Sequence, residues 1–410
     1  MATDQRTRLS RRATIKNVVR LIPAVVIIAA TLNTVSCGSN GLLTSVNNNS
    51  ASPTSTQTQG TGALAFVTNY NDAKVSSFTR NLTTGALKLT GQVKAGATNG
   101  PRGVIASPNG NFLYVANIGD DSIYEFAINS HNGKLTQLAK VANGSGTGPD
   151  ELAMNSNGTL LWVTNAHKGT VGWYTVNAAT GLINLNSGGS IGGFGTPFGV
   201  ALHPSLAELY VSDTAAPGLI QPMSYNTSTG ALAKNFPAVT SASPLAMKPA
   251  AIAIDAAGAA LFIADQGNGE ASSFSIDAMG ALTPIIAVAN SSVGDVPVGV
   301  GIGVNAGAEY LFTANQGGGS VSSFTVTSVT NVITPPVTVP QPPGAAYNGP
   351  TGLVVDPQNL FVYTADNFDG TVSQSSIKGS CGIQLCEVGL VSTESPHNAN
   401  SGPFGITLAQ

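Results

Sequence analysis

Pro101-Arg102-Gly103-Val104-Ile105-Ala106-Ser107-Pro108-Asn109-Gly110-Asn111-Phe112-Leu113-Tyr114-Val115-Ala116-Asn117 is the stretch on which the architecture turns. An apolar run meets a Pro-Asn-Gly turn, and a second apolar run follows that ends in Asn. Two short strands joined by a tight turn fit that pattern. The second half recurs as Phe66-Val67-Thr68-Asn69, Trp162-Val163-Thr164-Asn165, Tyr210-Val211-Ser212-Asp213, Phe262-Ile263-Ala264-Asp265, Phe312-Thr313-Ala314-Asn315 and Tyr363-Thr364-Ala365-Asp366. Successive Asn or Asp residues lie 48, 48, 48, 52, 50 and 51 positions apart. Seven copies at that period, rich in β-branched and aromatic residues, point to the blades of a propeller.

Within the second copy four strands can be placed, at 101–106, 112–117, 122–128 and 134–141. Each is bounded by Gly, Asn or Pro and is expected to alternate in period two. Four strands per repeat make a propeller blade. Pro335-Pro336 through Pro342-Pro343 reads as a polyproline insertion before the seventh copy, not as a strand. The first copy begins at Ala63 with a strand of the second kind and lacks an inner one. Gly402-Pro403-Phe404-Gly405-Ile406-Thr407-Leu408 matches the opening phrase Gly100-Pro101-Arg102-Gly103-Val104-Ile105-Ala106. The expected fold is therefore an all-β, seven-bladed propeller of four-stranded blades. Its ring is closed by the C-terminal strand joining the first blade, which hides the edges an open ring would expose.

Only 9% of the 410 residues are charged, whereas 42% are hydrophobic, with 48 Gly and 23 Pro. Ordinary soluble domains carry about 25% charge. The balance excludes a disordered polyampholyte and a coiled coil. Six of the 17 basic residues (Arg6, Arg8, Arg11, Arg12, Lys16 and Arg20) precede an apolar run at 21–32. A basic region, a short apolar run and a small-residue exit read as a secretory signal over 1–36, because spanning a bilayer takes ~20 apolar residues. Residues 38–62 carry no charge and read as a flexible tether after Cys37, with the propeller at 63–410. Past the leader 11 basic and 19 acidic residues remain, a net charge of −8. No basic stripe remains to neutralise phosphates, so nucleic acid is not an expected partner.

The leader carries two resemblances. Ser10-Arg11-Arg12-Ala13-Thr14-Ile15-Lys16 looks like a twin-arginine export motif, and Thr34-Val35-Ser36-Cys37 resembles a bacterial lipobox with Cys37 as the lipidated residue. They imply a lipid-anchored protein of the bacterial cell envelope, periplasmic or on the cell surface. In that oxidising setting Cys381 and Cys386, four residues apart in Cys-Gly-Ile-Gln-Leu-Cys, read as a disulfide stapling a hairpin. Zinc would need two further ligands, and no Cys or His cluster supplies them.

The repeated phrases, with Thr83-Thr84-Gly85-Ala86-Leu87 and its echoes Ala179-Thr180-Gly181-Leu182 and Ser228-Thr229-Gly230-Ala231-Leu232, resemble the YVTN-repeat propellers. More closely they resemble the lactonase-type, 6-phosphogluconolactonase-like seven-bladed family. The resemblance spans 63–410 and implies hydrolysis of sugar lactones as the family activity. Members often carry a channel-facing His after the Pro-Arg of an inner strand. That place is Gly103 here, and Glu151, Gly199, Ala251, Gly299, Gly352 and Gly405 in the other copies.

Inner-strand starts and the turns after the repeated Asn or Asp should share one face. That gathers Arg102, Asp150, Glu151, Phe198, Thr351 and Phe404 near the axis, with His167 in a turn on the same face. Arg102 with Asp150 and Glu151 offers a cation for an anionic group and carboxylates for acid–base work, or else an ion pair bridging two blades. His167, Phe198, Thr351 and Phe404 are the candidate ligand contacts. Asp213, Asp265 and Asp366 are expected to cap turn N–H groups. No metal site or cofactor is expected, since no loop supplies several carboxylates and only Trp162 and Trp173 offer indole rings for stacking a redox group. Two functions follow: a module binding a sugar-like ligand or a cell-envelope protein, and a lactone hydrolase in which Arg102 orients the substrate and Asp150 or Glu151 activates water.

Overall fold

Each repeated Asn or Asp ends a β-strand: Leu64–Asn69, Phe112–Asn117, Leu160–Asn165, Glu208–Asp213, Ala260–Asp265, Ala308–Asn315 and Phe361–Asp366. The computed structural model describes residues 63–97, 99–240, 248–289, 296–305, 307–327, 329–338, 348–377, 386–392 and 402–409. The expected leader, Cys37, the tether and Cys381 lie outside them. Cys386 is placed only as the first residue of a strand, Cys386–Ser392.

Seven four-stranded antiparallel sheets form the blades, and the described residues include no helix. The innermost strands all begin at proline: Pro403–Ala409, Pro101–Ala106, Pro149–Met154, Pro197–Leu202, Pro249–Ile254, Pro297–Asn305 and Pro350–Val355. A residue without an N–H is tolerated at the first position of a strand, where the ladder has not yet begun. Blade 1 is completed from the far end of the chain, with Leu64 opposite Ala409 and Val67 opposite Ile406. Each inner strand packs on the next, from blade 1 round to blade 7 and back, so the ring is closed.

The core is seven apolar layers, one for each junction between blades. Between blades 2 and 3, for example, Ile105, Tyr114 and Ile123 meet Leu152, Leu161 and Val163. Both faces of a blade are therefore covered, and the second strands are buried along nearly their whole length. Alternation was expected in every strand, but it survives only toward the rim, as in Ile183–Gly192. Two-sided burial replaces it further in, as it does in the covered sheets of α/β folds.

The two sequence phrases turn out to be halves of one contact. Tyr114, Tyr210 and Tyr363 donate their hydroxyls to the carbonyls of Gly181, Gly280 and Gly85 at 2.8, 2.9 and 2.6 Å. Trp162 Nε1 donates to Gly230 O at 2.9 Å. In each case the aromatic of one blade reaches the outer hairpin of the next. The hairpin glycine has a φ of +73° to +95°, which spares the turn a side-chain clash. One expectation is corrected: within the polyproline stretch Val337–Thr338 pairs with Ser323 and Ser322 as the outer strand of blade 6. A rim strand needs only one bonded edge, so prolines on either side do not forbid it.

Candidate functional site

The second residues of the inner strands, just after the opening prolines, are Phe404, Arg102, Asp150, Phe198, Ala250, Val298 and Thr351, in ring order from blade 1. Phe404, Phe198, Ala250 and Val298 form one buried cluster with Tyr70 and Val296 packed on it. Those residues come from blades 1, 4, 5 and 6, so the cluster reaches across the axis and caps it with apolar side chains.

Beside this cap stands the charged corner. Arg102 Nη1 donates to Asp150 Oδ2 at 2.5 Å, across the junction of blades 2 and 3. The guanidinium lies 4.6 Å from the Phe404 ring centre and 5.7 Å from that of Tyr70, an arrangement that attracts a cation to the ring faces. The Arg102 side chain is 25% exposed and that of Asp150 only 1%. Burial works against the Arg102 charge, but Asp150 outweighs it and holds the pKa above its ordinary value. Burial likewise raises Asp150, while the charge and hydrogen bond of Arg102 pull it back. Because an arginine does not give up its proton in proteins, Asp150 always faces a cation.

Glu151 is different. It is fully buried, and neither carboxyl oxygen meets a well-placed donor among the described residues, the Leu152 N–H giving only weak help. Burial and the Asp150 charge lift it well above the ordinary glutamate range, so its charged form is strongly disfavoured. Its room is provided by Gly103: a Cβ there would collide with Asp150 O and lie 3.1 Å from Glu151 Oε2. The place where lactonase-type sequences carry His is thus turned toward the neighbouring inner strand, not toward the axis.

Three of the other junctions carry a hydroxyl strut, whereas blades 2, 5, 6 and 7 have alanine in its place, Ala116, Ala264, Ala314 and Ala365. Thr68, Thr164 and Ser212 donate their hydroxyls across to Arg102 O, Phe198 O and Ala250 O at 2.6, 2.7 and 2.6 Å. Blade 2 has Ala116 in that position, so no such strut reaches Asp150 O. Instead Asp150 Oδ1, Arg102 Nε and both Glu151 oxygens are buried without partners among the described residues.

Of the candidate contacts, His167 is exposed, on the turn after Asn165, and close enough for its charge to act on Asp150 and Asp121. Thr351 is 1% exposed and donates to Phe404 O at 2.9 Å, tying blade 7 to blade 1. Phe198 and Phe404 lie in the cap. Trp162 is buried inside a blade junction, 4.7 Å from the Tyr225 ring. Asp213 accepts from the Gly195, Thr196 and Ala215 N–H groups, and Asp265 from those of Lys248 and Gly267. Asp366 instead takes hydroxyls from Thr364, Thr371 and Ser373. Among the described residues no three His, Cys, Asp or Glu side chains are grouped to hold a metal ion. Sequence reading missed Tyr70, which backs Arg102. The signal was there, since the residue after the repeated Asn or Asp is aromatic only in the first copy.

The family model described as Lactonase, 7-bladed beta-propeller matches residues 93–194, which hold blades 2 and 3 and the whole charged corner. No curated protein matches the chain. Among solved structures, a putative 6-phosphogluconolactonase from Bacteroides fragilis is 18% identical, with a TM-score of 0.68 over 85% of this chain and 98% of its own. One from Bacteroides uniformis is 16% identical, with a TM-score of 0.69 over 84% and 99%. The periplasmic gluconolactonase of Pseudomonas aeruginosa is 15% identical, with a TM-score of 0.63 over 85% and 99%. At such identities the likeness is one of fold. The chain is a seven-bladed propeller of lactonase-like fold, with the lactonase family's sequence pattern matched across its second and third blades.

Proposed function

We propose that the protein is an exported, lipid-anchored propeller that binds a sugar-like ligand at the face carrying Arg102, Tyr70 and His167. One observation carries this reading: Arg102 is backed by two aromatic rings and partly exposed, whereas both neighbouring carboxyl groups are buried, one paired with Arg102 and one without a hydrogen-bond partner among the described residues. Such a surface offers donors and a ring-backed cation for recognition, with no ionised base directed at solvent. The leader and Cys37 support the anchored, cell-envelope part of the reading.

Lactone hydrolysis is the second reading, favoured by the family model and by the activities named for its structural neighbours. It would need Asp150 or Glu151 to accept a proton from water, and so the Arg102 pair to open. A panel of sugar lactones separates the two. Binding alone gives saturable titrations that disappear in Arg102→Ala and no turnover above the uncatalysed rate. Turnover that disappears in both Arg102→Ala and Glu151→Gln would overturn the binding reading. Loss of membrane association in Cys37→Ala checks the anchor.

A further inference from the structure

Blade 3 departs from blades 1, 5, 6 and 7 at one position, where each of those has a third-strand serine. In blades 1 and 6 the amide ending the second strand donates to a third-strand serine: Asn69 to Ser76 and Asn315 to Ser322, both at 2.8 Å. In blade 7 Ser373 donates to Asp366. Blade 1 adds Gln92 from the outer strand, whose amide donates to Ser76 at 3.2 Å. Blade 3 has Gly172 in place of the serine and Ser190 opposite it, where blade 1 has Gln92, with Gly188 and Gly189 next along the outer strand. Side chains missing from two adjacent strands leave a cavity of about 290 Å³ beside Asn165.

The walls of that cavity are polar and fixed. Asn143, from the loop joining blades 2 and 3, donates to Asn165 Oδ1 at 2.6 Å and to Thr147 Oγ1 at 3.1 Å. It accepts from the Tyr174 hydroxyl at 2.8 Å, and Asn165 Nδ2 donates to Thr170 Oγ1 at 3.0 Å. These bonds lock both amides in one orientation. The Thr170 hydroxyl proton, the Lys168 ammonium and the Ser190 hydroxyl also line the space, and none has an acceptor among the described residues. The Tyr174 ring and the 60% exposed Leu185 supply an apolar side.

We propose that this cavity is a binding site for a neutral polyhydroxylated molecule of monosaccharide size. Fixed amides and spare hydroxyl and ammonium donors suit a rim of hydroxyl groups, and the apolar side suits the C–H face of a sugar ring. No carboxylate lines the space, which disfavours a cation, and a single exposed lysine is a weak hold for an anion. The volume sits near the lower end of small-molecule pockets, ~300 Å³, and preformed polar groups cut the cost of ordering on binding. The site is separate from the channel mouth and stands or falls without it.

The test is a titration of the whole protein with glucose, galactose, mannose, N-acetylglucosamine and ribose, read by saturation-transfer NMR and by the fluorescence of Trp173, against whose indole Gly189 lies. At least one sugar should give a saturable change. Gly172→Ser supplies the hydroxyl that blades 1, 5, 6 and 7 carry and should weaken that binding at least tenfold with an unchanged melting temperature. A Cβ at position 172 would lie 3.1 Å from Val163 Cγ1, so Ser190→Gln, at an exposed position, provides a second block from the outer strand. The proposal fails if no sugar gives a saturable change, or if both variants bind as the parent does. A signal that survives both variants and disappears in Arg102→Ala would move the sugar to the channel mouth, overturning this site while supporting the function proposed above.

Discussion

Among the described residues two arginine–aspartate pairs join blades, and they are built to different standards. At the junction of blades 7 and 1, Arg80 Nη1 donates to Asp356 Oδ2 at 2.8 Å, with both side chains fully buried. Arg80 Nη2 donates to Gln358 at 2.8 Å, and Asp356 Oδ1 takes the Leu360 and Phe361 N–H groups at 2.6 Å each. The Tyr363 ring lies 5.9 Å from the guanidinium. At the junction of blades 2 and 3, Arg102–Asp150 is partly open to solvent and has orphaned atoms on both partners, with the buried Glu151 behind it. A satisfied buried pair specifies how two elements meet, whereas a half-satisfied one at a surface leaves hydrogen bonds for something else to complete. The first is a latch of the ring and the second is a place for recognition.

Removing one partner should separate them most clearly. Arg80→Ala strands Asp356 in a dry interior and should cost about 3–5 kcal/mol of unfolding free energy, the range for breaking a buried pair. Arg102→Ala loses a charge-assisted hydrogen bond near the surface, worth roughly 1.5–3 kcal/mol. Urea unfolding of the two variants checks the order; an Arg102→Ala loss equal to or larger than that of Arg80→Ala would erase the distinction.

The pH dependence sharpens it next. Glu151 and Asp366 are held far above the ordinary carboxyl range by burial, and burial raises Glu125, Glu208 and Glu309 to about 7. A carboxyl with a raised folded-state pKa binds more protons folded than unfolded. Its contribution is fully present below the unfolded pKa of about 4 and is lost as pH rises through the folded value. Melting temperature should therefore fall from pH 5 to pH 8, the reverse of ordinary acid denaturation. Glu151→Gln keeps the shape without the charge and should flatten that slope, whereas Asp356→Asn should lower stability at both pH values.

The smallest expected effect concerns the neutral contacts that accompany the latch. Tyr363→Phe deletes the hydroxyl that reaches Gly85 O and should cost about 1 kcal/mol, the net value of one hydrogen bond. Phe66, Phe262 and Phe312 hold the same place in their blades without a hydroxyl, so the variant should still fold.

The ring was legible because it rests on local features repeated in the chain: a proline to start, a tight turn after the inner strand, an amide or acid to stop. The match of 402–408 to 100–106 even located the closing strand. Arg102, Asp150 and Glu151 were also legible, since repeat spacing places them on adjacent inner strands. Other features depend on geometry that spacing does not carry. That Phe198 and Phe404 share one cap requires knowing the width of the ring. Arg80 and Asp356 are 276 residues apart in the chain and meet only once the ring closes. Gly172 becomes informative only beside Ser76, Ser322 and Ser373 in paired strands. Gly103 needed the neighbouring blade before its missing side chain could be understood as room for Glu151.

The strand Pro403–Ala409 has a consequence for the order of events in the cell. Three strands of the first blade are among the earliest parts of the propeller to leave the ribosome, yet their inner partner is made more than 300 residues later. Until then Leu64–Asn69 presents an unpaired edge, and an unpaired edge is a template for wrong pairing. Contacts between such distant segments are also slow to form, because a long loop must be closed first. A ring closed by its last strand therefore cannot finish folding until Pro403–Ala409 has been made. The same delay leaves that edge open to wrong pairing until the last strand arrives.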